Sequence, residues 1–390
     1  MKIQVKKQAA NKFRQGYPLV KEEDLQQRPS QLPTDWIEFT DPAGKFVAYG
    51  YLAEQNKGLG WLLSWDEKIS VPFFERLFKK AKLERSVYAN DSSTSAYRLF
   101  NGEGDGLGGV TIDCYNDFVV FSWYNETIYE KREAIIQSFK KVFDEITGAY
   151  EKVRFTSSYP ESQHLYGKQA EEPLLVTENG VSYAVYLNEG LMTGIFLDQK
   201  EVRGELINGY AAGKTVLNMF SYTGAFSVAA AMGGAISTTS VDLAKRSLAK
   251  TTEQFEVNQL PLAQQKIVVM DVFEYFKYAK RKDLIFDCII LDPPSFARNK
   301  KKVFTVGKNY GELIEQSIDI LAEQGQIIAS TNAANLSLER FTKLVKDALK
   351  EKSISSYTIE TIYQLPGDFK VSEDFPEGNY LKVLFLTIKK

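Results

Sequence analysis

Thr215-Val-Leu-Asn-Met-Phe-Ser-Tyr-Thr-Gly-Ala-Phe-Ser-Val-Ala-Ala-Ala231 divides into three parts. Val216 to Phe220 is a short apolar run of buried-strand type. Ser221-Tyr222-Thr223-Gly224 is a turn, and from Ala225 the small residues suit a helix packed closely on a sheet. Strand, tight turn and helix form the opening unit of a doubly wound α/β domain, where ligands bind at the carboxyl ends of the strands. The turn is not a phosphate loop, because it lacks the G-x-G-x-x-G spacing and any Gly-Lys-Ser/Thr. Its one glycine, Gly224, stands where backbone has to approach a ligand, and a nucleoside without phosphates suits it.

Further along, Ser237-Thr-Thr-Ser-Val-Asp242 ends a second strand on an acid placed to accept from ribose hydroxyls. Ile267-Val-Val-Met-Asp271 ends a third, and Asp287-Cys-Ile-Ile-Leu-Asp-Pro-Pro-Ser-Phe296 carries a fourth into Asp292-Pro-Pro. Each Asp taken singly reads as a helix N-cap or a turn residue. Their succession after a glycine turn points to a cofactor site instead.

The series resembles the class I S-adenosylmethionine-dependent methyltransferases, and within them the RlmI-like large-subunit ribosomal RNA methyltransferases. The matching pieces are Thr193-Gly-Ile-Phe-Leu-Asp-Gln-Lys-Glu-Val-Arg203, Leu217 to Phe226, Asp292 to Phe296 and Phe375-Pro-Glu-Gly-Asn-Tyr-Leu-Lys382, with Tyr97 to Asp113 upstream. The resemblance covers most of the chain. It implies a Rossmann-like doubly wound sheet, an N-terminal PUA-like β-barrel that binds RNA, a central α+β domain and S-adenosylmethionine as cofactor. Adenine and ribose are then expected against Phe220, Tyr222, Asp242, Leu243, Asp271 and Val272, with Asn218, Ser221, Gly224 and Pro293 completing the cradle. In that family the segment from Thr193 to Arg203 closes over the cofactor, so Asp198 and Arg203 join the set, Arg203 as a bidentate partner for its carboxylate. Without the resemblance, Asp198 reads as an N-cap before an exposed helix.

Composition agrees with a globular chain. At 390 residues there is room for two or three domains. No apolar run approaches a membrane span, and the start, Met1-Lys-Ile-Gln-Val-Lys-Lys7, lacks the apolar core of a signal peptide. Two distant cysteines, Cys114 and Cys288, give neither a disulfide framework nor zinc spacing, and the single histidine, His164, disfavours a histidine-based metal site. A reducing cytoplasm is the expected location. The net charge of −2 leaves RNA binding to local patches. Lys2, Lys6, Lys7, Lys12 and Arg14 form one candidate; Arg298, Lys300, Lys301 and Lys302, beside Asp292-Pro-Pro, form the other. Either is ordinarily a solvated face.

In chain order, residues 1–72 read as a small β domain, with strands at Phe46–Leu52 and Gly60–Trp65. Residues 73–175 read as strand-strand-helix-strand-strand, with strands at Val110–Cys114, Phe118–Trp123 and Val153–Thr156 and a helix over Glu130–Phe143. The glycines from Gly102 to Gly109 serve turns. Residues 176–390 form the cofactor domain, with helices over 243–257, 272–278, 310–321 and 336–351 and two final strands, of which the resemblance implies that one is antiparallel.

Asp292 is the expected catalytic acceptor, and Phe296 either stacks on an extracted base or packs in the core. Methylation at cytosine C5 needs a thiolate that adds at C6. The RlmI-like pattern has a Cys after the fifth strand, whereas here Ile327-Ile-Ala-Ser-Thr-Asn-Ala-Ala-Asn335 puts Asn332 in that place. Covalent C5 chemistry is therefore disfavoured. A related branch methylates guanine N7 and has Asn in this region, and an exocyclic amine is chemically open too. RNA, ribosomal RNA first, is the expected partner, and a homodimer is left open. An RNA-binding protein that has lost catalysis, or a methyltransferase for a protein or small molecule, are the alternatives.

Overall fold

The computed structural model describes residues 1–298 and 303–390. The chain forms two compact units: Met1–Val176 with Tyr186–Thr193 and Gly367–Gly378, and Thr177–Val185 with Gly194–Pro366 and Asn379–Lys390.

The second unit holds the doubly wound sheet. Its strands are β1 (Thr215–Met219), β2 (Ser237–Asp242), β3 (Gln265–Val269), β4 (Phe286–Leu291), β5 (Leu321–Thr331), β6 (Ser356–Tyr363) and β7 (Lys382–Lys389). They lie in the order β3-β2-β1-β4-β5-β7-β6. Neighbours from β3 to β5 are parallel, while β7 runs antiparallel to both β5 and β6. Helices α1 (Ala225–Met232), α2 (Arg246–Glu256), α3 (Val272–Arg281), α4 (Val306–Asp319) and α5 (Leu338–Glu351) complete the unit. Strand residues alternate between two cores. Leu217, Met219, Ile289, Leu291, Ile327 and Leu384 pack with Tyr275, Tyr310, Leu313, Phe341 and Val345. Val216, Cys288, Ile290, Ile328 and Val383 face Val202, Leu206, Phe226 and Ala229 on the other side. Burial of both faces explains the apolar runs Cys288–Leu291 in β4 and Ile327–Ala329 in β5.

The chain winds outward from β1 through β2 and β3, then returns to its other side with β4. That reversal is the topological switch point, where the carboxyl ends of β1 and β4 form a crevice.

The first unit contains two five-stranded sheets. The first is built from Lys2–Gln4, Leu19–Val20, Ile37–Thr40, Phe46–Leu52 and Gly60–Ser64. The basic start Lys7–Arg14 is an amphipathic helix that buries Ala9, Ala10 and Phe13. Of the five basic residues at this end, three are in ion pairs: Lys2 with Glu38, Lys12 with Asp24 and Arg14 with Asp41. Lys6 and Lys7 of the candidate patch are exposed. The second sheet has strands Ala96–Asn101, Val110–Tyr115, Phe118–Trp123, Gly148–Val153 and Ser162–Gly167, with helices at Glu126–Glu130 and Arg132–Val142. Three strands precede these two helices where the expected pattern has two, a further helix, Val71–Glu84, comes before them all, and the strand expected to start at Val153 ends there. The segments Tyr186–Thr193 and Gly367–Gly378 belong to this unit although they come from the later chain, which a linear division at residue 175 does not foresee. Among the described residues no helix is long and apolar enough to cross a membrane.

Candidate active site

The glycine turn follows β1 directly. Phe220 and Tyr222 take positive φ values of 59° and 53°, and Gly224 caps α1 at φ 80°. Left-handed backbone at two bulky residues is costly and marks a segment held by its surroundings. The holding bonds are present. Ser221 N donates to Val241 O at 3.0 Å, and Tyr222 N donates to Asp242 Oδ2 at 2.9 Å. Asp242 Oδ1 accepts from Ala244 N at 2.8 Å, so this acid first shapes the turn and the tip of β2. Leu243 beside it is 58% exposed. It lies outside the helix expected over 243–257. Helix α2 starts only at Arg246, and Leu248 is exposed as well. Asp271 is the N-cap of α3, with Oδ1 accepting from Phe273 N and Glu274 N, and Val272 is buried as the first helical residue.

The carboxyl end of β4 delivers Asp292, half-buried, with Pro293 buried behind it. Gln199 Nε2 donates to Asp292 Oδ1 at 3.1 Å and to Ser330 Oγ, at the end of β5, at 2.8 Å. Burial pushes the Asp292 carboxyl up to about 6, with Asp198 adding to the rise and hydrogen bonds from Ser330 and Gln199 opposing it. Tyr310 Oη donates to Ser330 O at 2.8 Å and ties α4 to this corner. Beyond Asp292, Ser295 Oγ donates to Asn332 Oδ1 at 2.6 Å. Asn332 is exposed, and Phe296 is 61% exposed, so its ring is not a core residue. Backbone pairing of Phe296–Arg298 with Val303–Thr305 makes a short antiparallel ribbon here. Lys300, Lys301 and Lys302 lie outside the described residues.

The segment expected to close over the cofactor is a 3-10 turn, Leu197–Gln199, running into a helix, Lys200–Glu205. Thr223 Oγ1 donates to Gly194 O at 2.7 Å, and the Phe196 ring lies 5.3 Å from that of Tyr222, so the segment is fastened to the glycine turn. Asp198 Oδ2 accepts from Tyr380 Oη at 2.8 Å and is not an N-cap. Arg203 departs from expectation: it is fully buried and its fork is taken by Glu178, at 2.6 and 2.7 Å. Sequence reasoning missed Glu178, Gln199, Ser330 and Lys382. Gln199 lies within the quoted motif, but its partners come from β4 and β5 and no spacing rule links them. Lys382 Nζ donates to Ala333 O at 3.0 Å and to Tyr380 O at 2.8 Å, holding the loop that carries Asn332.

Two buried acceptors here, Asn218 Oδ1 and Gln199 Oε1, have no partner among the described residues. Native interiors rarely leave such atoms unsatisfied, so a ligand rich in N–H and O–H donors is indicated. Leu243 and Asp242 offer an apolar plate next to a carboxylate, the two surfaces that adenine and ribose require. These features fit S-adenosylmethionine. A family model described as S-adenosylmethionine-dependent methyltransferase matches residues 99–370, and a PUA-like domain model matches residues 3–65.

The chain belongs to the S-adenosylmethionine-dependent methyltransferases.

Other members of this methyltransferase family match it along most of its length. A Bacillus subtilis protein named "Putative ribosomal RNA large subunit methyltransferase YwbD" is 47% identical over 99% of both chains. The "Ribosomal RNA large subunit methyltransferase I" of Yersinia pseudotuberculosis is 32% identical over 90% of both. A crystal structure of SMU.776, described as a putative methyltransferase complexed with SAH, superposes with a TM-score of 0.93 at 51% identity, covering 99% of this chain and 100% of that one. As a methyltransferase, the chain has Asn218, the Ser221–Gly224 turn, Asp242, Leu243 and Gln199 as the residues suited to hold the cofactor, with Asp292 at the carboxyl end of β4.

Proposed function

We propose that this methyltransferase modifies a base of large-subunit ribosomal RNA in the cytoplasm, at a nucleophilic ring nitrogen, with guanine N7 the atom its residues suit best. The names of relatives matching almost the whole chain support ribosomal RNA as substrate, and the PUA-like domain supports RNA binding. The observation that carries the choice of atom is the state of the two thiols. Cys288 is inside β4, Cys114 is in the other unit, and burial pushes both up to about 12. Neither supplies the thiolate that C5 methylation requires.

Bound S-adenosylmethionine supplies an electrophilic methyl group. The protein's task is then to present a lone pair in line with it and keep water out. Guanine N7 carries such a lone pair and no proton, so no base is needed to remove one. With its oxygen engaged by Ser295, Asn332 has its Nδ2 hydrogens left to offer. Guanine shows acceptors at both N7 and O6 on that edge, whereas adenine shows a donor beside N7. An amide donor therefore favours guanine. The exposed Phe296 ring suits stacking on a base drawn out of its helix.

The test is transfer of a labelled methyl group to unmodified ribosomal RNA, with the product nucleoside identified by mass spectrometry. We expect 7-methylguanosine, and about a tenfold or greater rise in KM for RNA in Phe296→Ala, the size of a lost base stack. Recovery of 5-methylcytidine would overturn the non-covalent reading. Cofactor binding without any methylated nucleoside would overturn ribosomal RNA as substrate.

A further inference from the structure

The guanidinium of Arg203 is buried among four elements. It donates through Nε and Nη2 to the two oxygens of Glu178, at 2.6 and 2.7 Å, and through Nη2 to Phe196 O at 2.8 Å. The rings of Tyr183, in the hairpin strand Val181–Val185, and of Phe226, on α1, each lie 5.8 Å from its carbon. Both members of the ion pair are almost wholly excluded from solvent. A guanidinium with its fork occupied by a carboxylate cannot present that fork to a second one.

The carbonyl that Arg203 holds belongs to the residue just before the Leu197–Gln199 turn. Gln199 at the end of this turn donates Nε2 to Asp292 and Ser330. Those bonds fix the amide orientation, because Oε1 placed against the Asp292 carboxylate would set two acceptors face to face. The consequence is that Gln199 Oε1 is buried with no partner among the described residues. Leaving a buried acceptor unsatisfied is costly, and the arrangement makes sense when a ligand donor completes it. The chain of contacts thus runs from Glu178 through Arg203 and the Phe196 carbonyl to Gln199 and Asp292.

We propose that Arg203 is a positioning residue: locked to Glu178, it fixes the Phe196–Gln199 turn so that Gln199 both orients Asp292 and presents Oε1 to a donor on the bound cofactor. It does not itself bind the cofactor carboxylate. The ion pair is the rigid support, and Gln199 is the group that touches ligand.

The test reads binding of S-adenosylhomocysteine and of its decarboxylated analogue by calorimetry, with thermal unfolding alongside and no RNA present. Its failure is therefore separable from failure of the ribosomal RNA proposal. The variants are Arg203→Lys, Glu178→Gln and Gln199→Leu. We expect each to weaken S-adenosylhomocysteine at least about tenfold, and each to weaken the decarboxylated analogue by the same factor. A direct carboxylate ligand behaves differently: Arg203→Lys would then erase the preference for S-adenosylhomocysteine over the analogue, and that outcome overturns the proposal. Unchanged Kd values in a folded Glu178→Gln protein overturn it too, since they reduce the ion pair to packing. Should Arg203→Lys not fold, Glu178→Gln, which keeps the shape of the pair, and Gln199→Leu decide alone. Unchanged affinity in Gln199→Leu removes the role given to Oε1.

Discussion

The two units of this chain each contain a buried arginine clamped to a carboxylate and to a backbone carbonyl. In the first, Arg85 donates to Asp105 at 2.7 and 2.6 Å and to Asp368 O at 2.9 Å. In the second, Arg203 does the same with Glu178 and Phe196 O. The bonding is nearly identical, and what it secures differs. Arg85 pins a segment, Gly367–Gly378, that returns from far along the chain to complete a scaffold. Arg203 pins a turn whose last residue reaches the acid at the end of β4. A buried ion pair is therefore no sign of function by itself, and the meaning lies in what hangs from the pinned carbonyl.

The largest effect that tests this contrast is on stability. Removing one member of a buried pair strands the other charge, at about 3–5 kcal/mol. Arg85→Met should lower the unfolding free energy by that amount in denaturant titration, and Arg85→Met with Asp105→Leu should recover most of it. Neither variant should change the Kd for S-adenosylhomocysteine. A loss of affinity in Arg85→Met matching that in Arg203→Lys would mean the two clamps do the same job.

A second contrast lies between two carboxylates. Glu151 is fully buried and accepts from Trp123 Nε1 at 2.9 Å, from Tyr129 Oη at 3.0 Å and from Gln163 Nε2. Asp292 is only half-buried, sits at a strand end and keeps accepting capacity. Glu151 is architecture; Asp292 is available to chemistry. Because N7 has no proton to lose, Asp292 serves as a charged hydrogen-bond acceptor and not as a base, and Asp292→Asn should lower kcat by about a hundredfold with modest change in stability. Glu151→Gln should do the reverse. Because burial raises the Asp292 carboxyl from 3.8 to about 6, the free protein holds it protonated below about pH 6. The neutral form is the one the folded site tolerates, so this group's contribution to stability is present at low pH and lost as pH rises from 3.8 through about 6. Activity should run the opposite way, since an acceptor works ionised. A kcat/KM profile that climbs through pH 6, and loses that limb in Asp292→Asn, is the expected result.

The order of strands, the glycine turn and the acids at the ends of β2 and β4 were legible in the sequence because each rests on a local pattern: apolar period, turn chemistry, an acid at a strand tip. Asp271 was legible only as an acid. Its carboxylate caps α3, the ordinary role for Asp before a helix. The pairing of Arg203 was not legible for a different reason. Its partner Glu178 lies in a preceding hairpin, and nothing in the spacing of Asp198 and Arg203 signals that a third residue has taken the guanidinium. The helix expected over 243–257 begins only at Arg246, which leaves Leu243 ahead of it and exposed. The basic stretch Lys7–Arg14 was read by its charge, while its fold is set by Ala9, Ala10 and Phe13 on the opposite face.

The smallest expected effect separates two glycines. At Gly109, with φ 97°, an added Cβ would stand 2.2 Å from Tyr51 Oη and 2.8 Å from Asn125 Nδ2, inside a buried hydrogen-bonded cluster. At Gly224, with φ 80°, it would stand 2.4 Å from Thr251 Cγ2, a methyl on α2. Gly109 is thus required by packing and by its backbone conformation. For Gly224 the sequence suggests close approach to a ligand, while the structure adds a packing reason that has nothing to do with one. The two reasons separate in a pair of variants. Gly224→Ala should cost about 1–3 kcal/mol from the clash and the left-handed backbone together. Adding Thr251→Ala removes the clashing methyl and leaves a backbone cost of about 1–2 kcal/mol. If S-adenosylhomocysteine binds the double variant as it binds Thr251→Ala alone, the glycine serves the contact between α1 and α2. If affinity stays low once the clash is gone, the missing side chain is needed by the ligand, and Gly224 is set apart from Gly109 as Arg203 is from Arg85.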